Sequence, residues 1–97
     1  MNDQALREKV IQTSRLMLSM GLTNGTSGNV SARCEDGTSF LITPSGMDYD
    51  AVTPDDIVKV SVATGETTGK RVPSIETGLH RGIHLSRPDA GAIVHVH

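Results

Sequence analysis

Asn29-Val30-Ser31-Ala32-Arg33-Cys34-Glu35-Asp36-Gly37-Thr38-Ser39-Phe40-Leu41-Ile42-Thr43 reads as two strands folded about a turn. Asn29 to Arg33 alternates in polarity, Ser39-Phe40-Leu41-Ile42-Thr43 is a second strand, and Glu35-Asp36-Gly37 between them is a hairpin signal. A connection this short joins only antiparallel neighbours, because a parallel pair needs a crossover of a dozen residues or more. Downstream, Pro44-Ser45-Gly46 forms a tight turn. Thr53-Pro54-Asp55-Asp56 is a one-turn helix with Thr53 as cap and Pro54 at its first position. Ile57 to Val62 is a further strand, turning at Ala63-Thr64-Gly65-Glu66. Pro73-Ser74 opens a helix from Ile75 to Leu85, Arg87-Pro88-Asp89 breaks the chain, and Ala92 to His97 is the last strand. Upstream, Ala5, Val10, Ile11, Leu16, Met17 and Met20 recur at helical spacing until Gly21 stops the helix, and Leu22 to Gly28 is a polar loop. Strands with hairpin-length turns between two helices imply an α/β domain with a largely antiparallel sheet covered by helices.

The 97 residues fit one small domain. Hydrophobic residues make up 36%, with one Phe, one Tyr and no Trp, so the core rests on aliphatic side chains. The net charge of −2 and nine scattered Lys and Arg give no electrostatic footprint for nucleic acid. Cys34 is alone, which excludes an intramolecular disulfide and reads as a residue without chemistry. The polar N-terminus lacks a signal-peptide core and no run spans a bilayer, so the reading is a soluble, cytoplasmic protein without a membrane partner.

Four groups of residues bear on chemistry. Ile93-Val94-His95-Val96-His97 sets two imidazoles on one face of a strand, with Cα atoms about 6.6 Å apart, near enough to converge on one ion. Glu76 is the best upstream candidate for a further ligand, since imidazole nitrogen and carboxylate oxygen are the usual non-thiolate ligands of Zn²⁺. His-x-His alone is a short pattern that also fits an exposed strand end. Gly25-Thr26-Ser27-Gly28-Asn29 allows close approach of the backbone to an anion and supplies hydroxyl and amide donors, but it is neither a Walker loop nor a dinucleotide fingerprint. Thr43-Pro44-Ser45-Gly46 and Pro73-Ser74 each place a hydroxyl in a turn, the second where free helix amides attract phosphate. An ordinary loop, turn and helix cap account for these three equally well. His80 and His84 follow Glu76 at four-residue steps on one helical face. His80 reads as a core or interface histidine, His84 as a surface one, and Tyr49 and Asp48 as structural.

Taken in order, Gly25-Thr26-Ser27-Gly28-Asn29-Val30-Ser31, Leu41-Ile42-Thr43-Pro44-Ser45-Gly46, Pro73-Ser74-Ile75-Glu76 and Arg87-Pro88-Asp89-Ala90 leading to His95-Val96-His97 resemble the class II aldolase and adducin family. The closest likeness is to its sugar-phosphate aldolases, typified by L-fuculose-phosphate aldolase, with residues 1–97 as the N-terminal part of one such domain, truncated at His97. The resemblance implies a three-layer α/β/α fold with a mainly antiparallel central sheet, and a homotetramer at full length. It implies Zn²⁺, or another divalent cation, on His95, His97 and a further histidine beyond this chain. Glu76 matches the catalytic acid/base, which also ligates the resting metal. Gly28, Asn29, Ser45, Gly46 and Ser74 match the residues around the substrate phosphate.

The implied reaction is retro-aldol cleavage of a sugar phosphate, such as L-fuculose phosphate, to dihydroxyacetone phosphate and an aldehyde. Within the family, a pentulose-phosphate 4-epimerase and a sugar-phosphate dehydratase are alternatives. Glu76, where such epimerases tend to carry aspartate, favours the aldolase. A non-catalytic adducin-like interaction module is the alternative of another class, against which the metal and acid residues argue. Ile75 stands where the aldolases often have a second serine, so one phosphate hydrogen bond is absent. A chain ending at His97 is expected to hold metal weakly and to have little activity alone.

Overall fold

The structure is a computed structural model that describes residues 2–24 and 26–96. Helix α1 (Asp3–Ser19) precedes strands β1 (Asn29–Arg33), β2 (Ser39–Ile42), β3 (Val58–Ser61) and β4 (Thr67–Thr68), then helix α2 (Thr77–Ser86) and strand β5 (Ala92–His95). A 3-10 turn, Pro54–Asp56, leads into β3. The strands form one sheet in the order β4-β3-β2-β1-β5, and every pair is antiparallel. The two helices cover its opposite faces, giving the expected α/β/α layering.

Alternation along the strands sorts the chain into two cores. Val30, Ala32 and Leu41 face α1, where Val10, Ile11 and Met17 meet them together with Tyr49, Val52 and Ile57. Phe40, Ile42, Val58, Val60 and Val62 form the second apolar cluster, and the ring of His84 from α2 stacks on Phe40 at 4.7 Å. Leu16 and Met20, expected in the α1 core from spacing alone, face outward at 56% and 62% exposure. Ser14 takes the inward position instead, its hydroxyl returned to the Val10 carbonyl at 2.8 Å. Gly21 does follow the α1 C-cap, with φ +74°.

α2 inverts the usual helix pattern. Its buried residues are His80 and His84, whereas Leu79 and Leu85 are 47% and 49% exposed. The surface reading of His84 is therefore overturned: it is 1% exposed. Spacing could place His84 on the same face as His80 but could not show that this face, and not the leucine face, meets the sheet. The helix also begins two residues later than expected, at Thr77, because Glu76 is its N-cap. The last strand ends at His95, not His97, and His97 lies outside the described residues.

Arginines hold the connections to this frame through backbone carbonyls. Arg7 donates to Pro54 and Ile57, and Arg15 to Tyr49, Asp50 and Val52. Arg81 reaches Val62 and Ala63, while Arg33 gathers the carbonyls of His84, Arg87 and Ala90 at the C-terminal end of α2. The loop before β1 is fixed differently. Tyr49, 2% exposed, donates its hydroxyl to the Gly28 carbonyl, and Thr23 meets the Ser27 hydroxyl at 2.7 Å. Gly28 has φ +79°, and a Cβ there would lie 3.1 Å from the His95 carbonyl oxygen and 3.2 Å from Thr23 Oγ1. Both the backbone conformation and the neighbours select glycine.

Gly28→Ala should therefore destabilise the fold by about 1–3 kcal/mol, read as a lowered midpoint in denaturant titration. Asp56 sets an acid limit. Its carboxylate accepts Thr53 N–H at 2.9 Å and Arg71 Nε at 2.9 Å. These bonds, led by the Thr53 amide, hold it down at about 2. Because the folded value is depressed, its stabilisation is complete above the ordinary value of 3.8 and is lost as pH falls through about 2. Melting temperature should drop more steeply over that window in the native protein than in Asp56→Asn.

Candidate active site

Two proline residues bring the separated turns together. Pro44 and Pro73 form an isolated antiparallel bridge. Proline has no N–H, so the bonds come from the flanking residues: Ser45 N–H to the Val72 carbonyl at 2.9 Å and Ser74 N–H to the Thr43 carbonyl at 3.0 Å. This pairing sets the Ser45-Gly46 turn beside the entry to α2. Gly46 takes the left-handed conformation, φ +70°, that the turn requires.

Against these two segments lies the end of the Thr26–Asn29 loop, and the three enclose a cleft of about 330 Å³. Its walls include every residue expected around a phosphate, namely Gly28, Asn29, Ser45, Gly46 and Ser74, together with Glu76 and Ile75. No Lys or Arg lines it among the described residues. The arginines already noted are engaged with loop carbonyls, so an anion here would meet neutral donors: hydroxyls, amides and the N-terminal end of α2. Ser74 is 8% exposed, and its Oγ accepts the Glu76 N–H at 3.2 Å. Its hydroxyl proton is thereby left to point elsewhere. Ile75 is 91% exposed and contributes no polar group.

Glu76 sits at the cleft wall with both carboxylate oxygens addressed. Asn29 Nδ2 donates to Oε1 at 3.3 Å, and His95 Nδ1 lies 2.9 Å from Oε2. β5 supplies His95 through its register with β1, in which His95 pairs with Asn29 and so shares its face. An imidazole nitrogen and a carboxylate oxygen thus converge at one point, and donors of these types suit a divalent cation. Among the described residues no third His, Cys, Asp or Glu joins them. His97, the remaining candidate of this chain, lies outside those residues.

Beneath Asn29 the polar contacts continue inward. His80 Nε2 meets Asn29 Oδ1, and Ser31 Oγ lies 2.6 Å from His80 Nδ1 and 3.0 Å from His84 Nε2. Burial, then the neighbouring His84, pushes His80 down to about 4. Burial, then the Arg33 charge, pushes His84 to about 4 as well. Both imidazoles are neutral near pH 7. The four-residue steps from Glu76 through His80 to His84 place these three on one helical face in the sequence, whereas no sequence signal joins Ser31 to them. Cys34 is buried, and its thiol is pushed up to about 11, chiefly by burial. A thiol held in its protonated form is a poor nucleophile.

The chain matches the family described as the Class II Aldolase and Adducin N-terminal domain over residues 8–97. It is 45% identical over 93 residues to the 5-methylthioribulose-1-phosphate/5-deoxyribulose-1-phosphate aldolase of Rhodospirillum rubrum, covering 96% of this chain and 41% of that protein. It is 41% identical over 97 residues to the L-fuculose phosphate aldolase of Haemophilus influenzae, covering 100% of this chain and 44% of that protein. A solved L-fuculose 1-phosphate aldolase superposes with a TM-score of 0.89 at 32% identity, over 96% of this chain and 44% of its own. The L-fuculose-1-phosphate aldolase from Thermus thermophilus superposes at 0.78 with 30% identity, over 95% of this chain and 46% of its own. The chain spans less than half the length of these relatives. With the ordered motifs, the layered antiparallel sheet and the match over residues 8–97 in agreement, the chain belongs to the class II aldolase and adducin family.

Proposed function

We propose that the full-length polypeptide is a divalent-metal-dependent aldehyde-lyase that cleaves a sugar phosphate to dihydroxyacetone phosphate and an aldehyde. The carrying observation is the cleft in which three hydroxyl- and amide-rich segments face the Glu76 carboxylate, itself paired with His95. The relatives' names, aldolases of phosphorylated ketoses, support the substrate class. Residues 1–97 form the N-terminal part of one catalytic domain in this reading, since the relatives extend well beyond the matched region. In this reading the full-length enzyme is a cytoplasmic homotetramer.

The phosphate binds between the Gly28-Asn29, Ser45-Gly46 and Ser74 segments. Side-chain O–H donors and the backbone N–H groups that the turns leave open satisfy its oxygens, and the positive end of the α2 dipole favours its charge. This fixes the reacting carbons beside Glu76. His95, His97 and Glu76 would hold the metal, which when bound supplies Lewis-acid polarisation of the substrate's carbonyl and hydroxyl oxygens. As the carbon–carbon bond breaks, its electron pair remains on the dihydroxyacetone-phosphate fragment. Glu76, ionised at rest, takes up the proton that the adjoining hydroxyl loses as it becomes the aldehyde carbonyl. It returns that proton to the carbon that keeps the electron pair, with the reverse order in the synthetic direction. No nucleophilic side chain or Schiff-base lysine is required.

In the full-length polypeptide supplied with Zn²⁺ and a ketose 1-phosphate, Glu76→Gln should lower kcat by at least about 100-fold. A variant within a few-fold of wild type would end this reading. Recovery of a stereoisomer in place of cleavage fragments would reassign the protein to epimerisation. Ser45→Ala and Ser74→Ala should each raise KM about 5–10-fold with kcat little changed, the loss of one hydrogen bond to a charged group. Chelation should abolish turnover and Zn²⁺ restore it.

A further inference from the structure

Retro-aldol chemistry does not by itself require the hydrogen-bonded chain under α2, yet the chain ends on the reacting carboxylate. Its members are buried: Ser31 and His80 are 0% exposed, His84 1% and Asn29 3%. Their donor and acceptor roles follow one from another, starting at Glu76. An ionised carboxylate only accepts, so the Asn29 NH₂ must face Oε1. The flipped amide would set Oδ1 against a negative oxygen. With Oδ1 turned inward, it takes a proton from His80 Nε2. A neutral imidazole has one N–H, so His80 Nδ1 is bare and must accept from the Ser31 hydroxyl. Ser31, having spent its proton, accepts from His84 Nε2–H. Every donation points the same way, from His84 through Ser31, His80 and Asn29 to Glu76.

An asparagine amide holds its protons at neutral pH, so this chain cannot pass a proton through Asn29. Its effect is orientation. We propose that His80 is a positioning residue, whose Nε2–H fixes the Asn29 amide so that Glu76 Oε1 is held and Oε2 stays turned to His95, while Ser31 and His84 lock the His80 tautomer. The proposal rests on the reading of Glu76 as the proton-transfer group and adds what aims it. A buried partner two bonds from the reacting group is positioned to matter as outer-shell partners of metal ligands do, at about 10–100-fold in activity.

Neutron diffraction from deuterated crystals of the full-length polypeptide tests the arrangement without a variant. Deuterium is expected on Nε2 of both His80 and His84 and absent from His80 Nδ1, with the Ser31 deuteron directed at His80. Deuterium on His80 Nδ1, or an Asn29 amide with Oδ1 toward Glu76, overturns the proposal. Kinetics test the consequence. His80→Leu removes the donor to Asn29 and should lower kcat about 10–100-fold with KM within about 2-fold. His80→Gln keeps an N–H within reach of Asn29 and should recover most of that loss. Equal losses in two folded variants overturn the positioning role, and if His80→Leu does not fold the neutron map alone decides. The Glu76→Gln enzyme separates the two readings. An active Glu76→Gln removes both, whereas an inactive one with the wrong proton positions removes only the role of His80.

Discussion

Helix α2 is held to the sheet by hydrogen bonds where most helices use an apolar stripe. β1 presents Asn29 and Ser31 to that face, α2 answers with His80 and His84, and the apolar residues of β2 and β3 close around them. Buried polar groups are costly unless paired. Together, however, these side chains specify one register of α2 on the sheet, since a shift of one residue would leave several of them unpaired. Because Glu76 is the N-cap of the same helix, whatever fixes α2 also fixes the carboxylate. The packing of α2 and the placement of Glu76 share one set of contacts.

The same economy applies to charge. Four arginines, Arg7, Arg15, Arg33 and Arg81, each span two or more backbone carbonyls of connecting segments. A guanidinium presents several donors in a fixed fork, which suits loops whose carbonyls have no strand partner. The consequence reaches the cleft: rigid turns and neutral donors shape it, and no cationic side chain of the described residues enters. The shape of the cleft depends on backbone geometry, on the left-handed Gly28 and Gly46 above all.

Much of this was legible from residues in order. The hairpin across Glu35-Asp36-Gly37, the Gly21 stop, and the strand at Ile57 to Val62 follow from local rules of turn chemistry and alternation, and the structure bears them out, with β3 spanning Val58–Ser61. What misled was helix facing. Leu16 and Met20 obey the α1 spacing but point outward, and α2 buries its histidines while exposing its leucines. Periodicity reports which residues share a face, but the packing partner decides which face is inside. The two-residue strand β4 had no signal of its own, because it exists only as the return of the turn after β3.

For the site, sequence alone determined the inventory: hydroxyl and amide turns at Gly28-Asn29, Ser45-Gly46 and Ser74, a carboxylate at Glu76, and imidazoles at the chain's end. Residue types carry chemistry wherever they fall, and turn-formers can be read one segment at a time. Only tertiary structure decided that these pieces meet. The Pro44–Pro73 bridge joins segments far apart in the chain, and the β1–β5 register brings His95 onto the face of Asn29. The roles of Ser31, His80 and His84 belong wholly to the fold. Hydrogen-bond direction is set by what each buried atom faces, and no local pattern of residues encodes that.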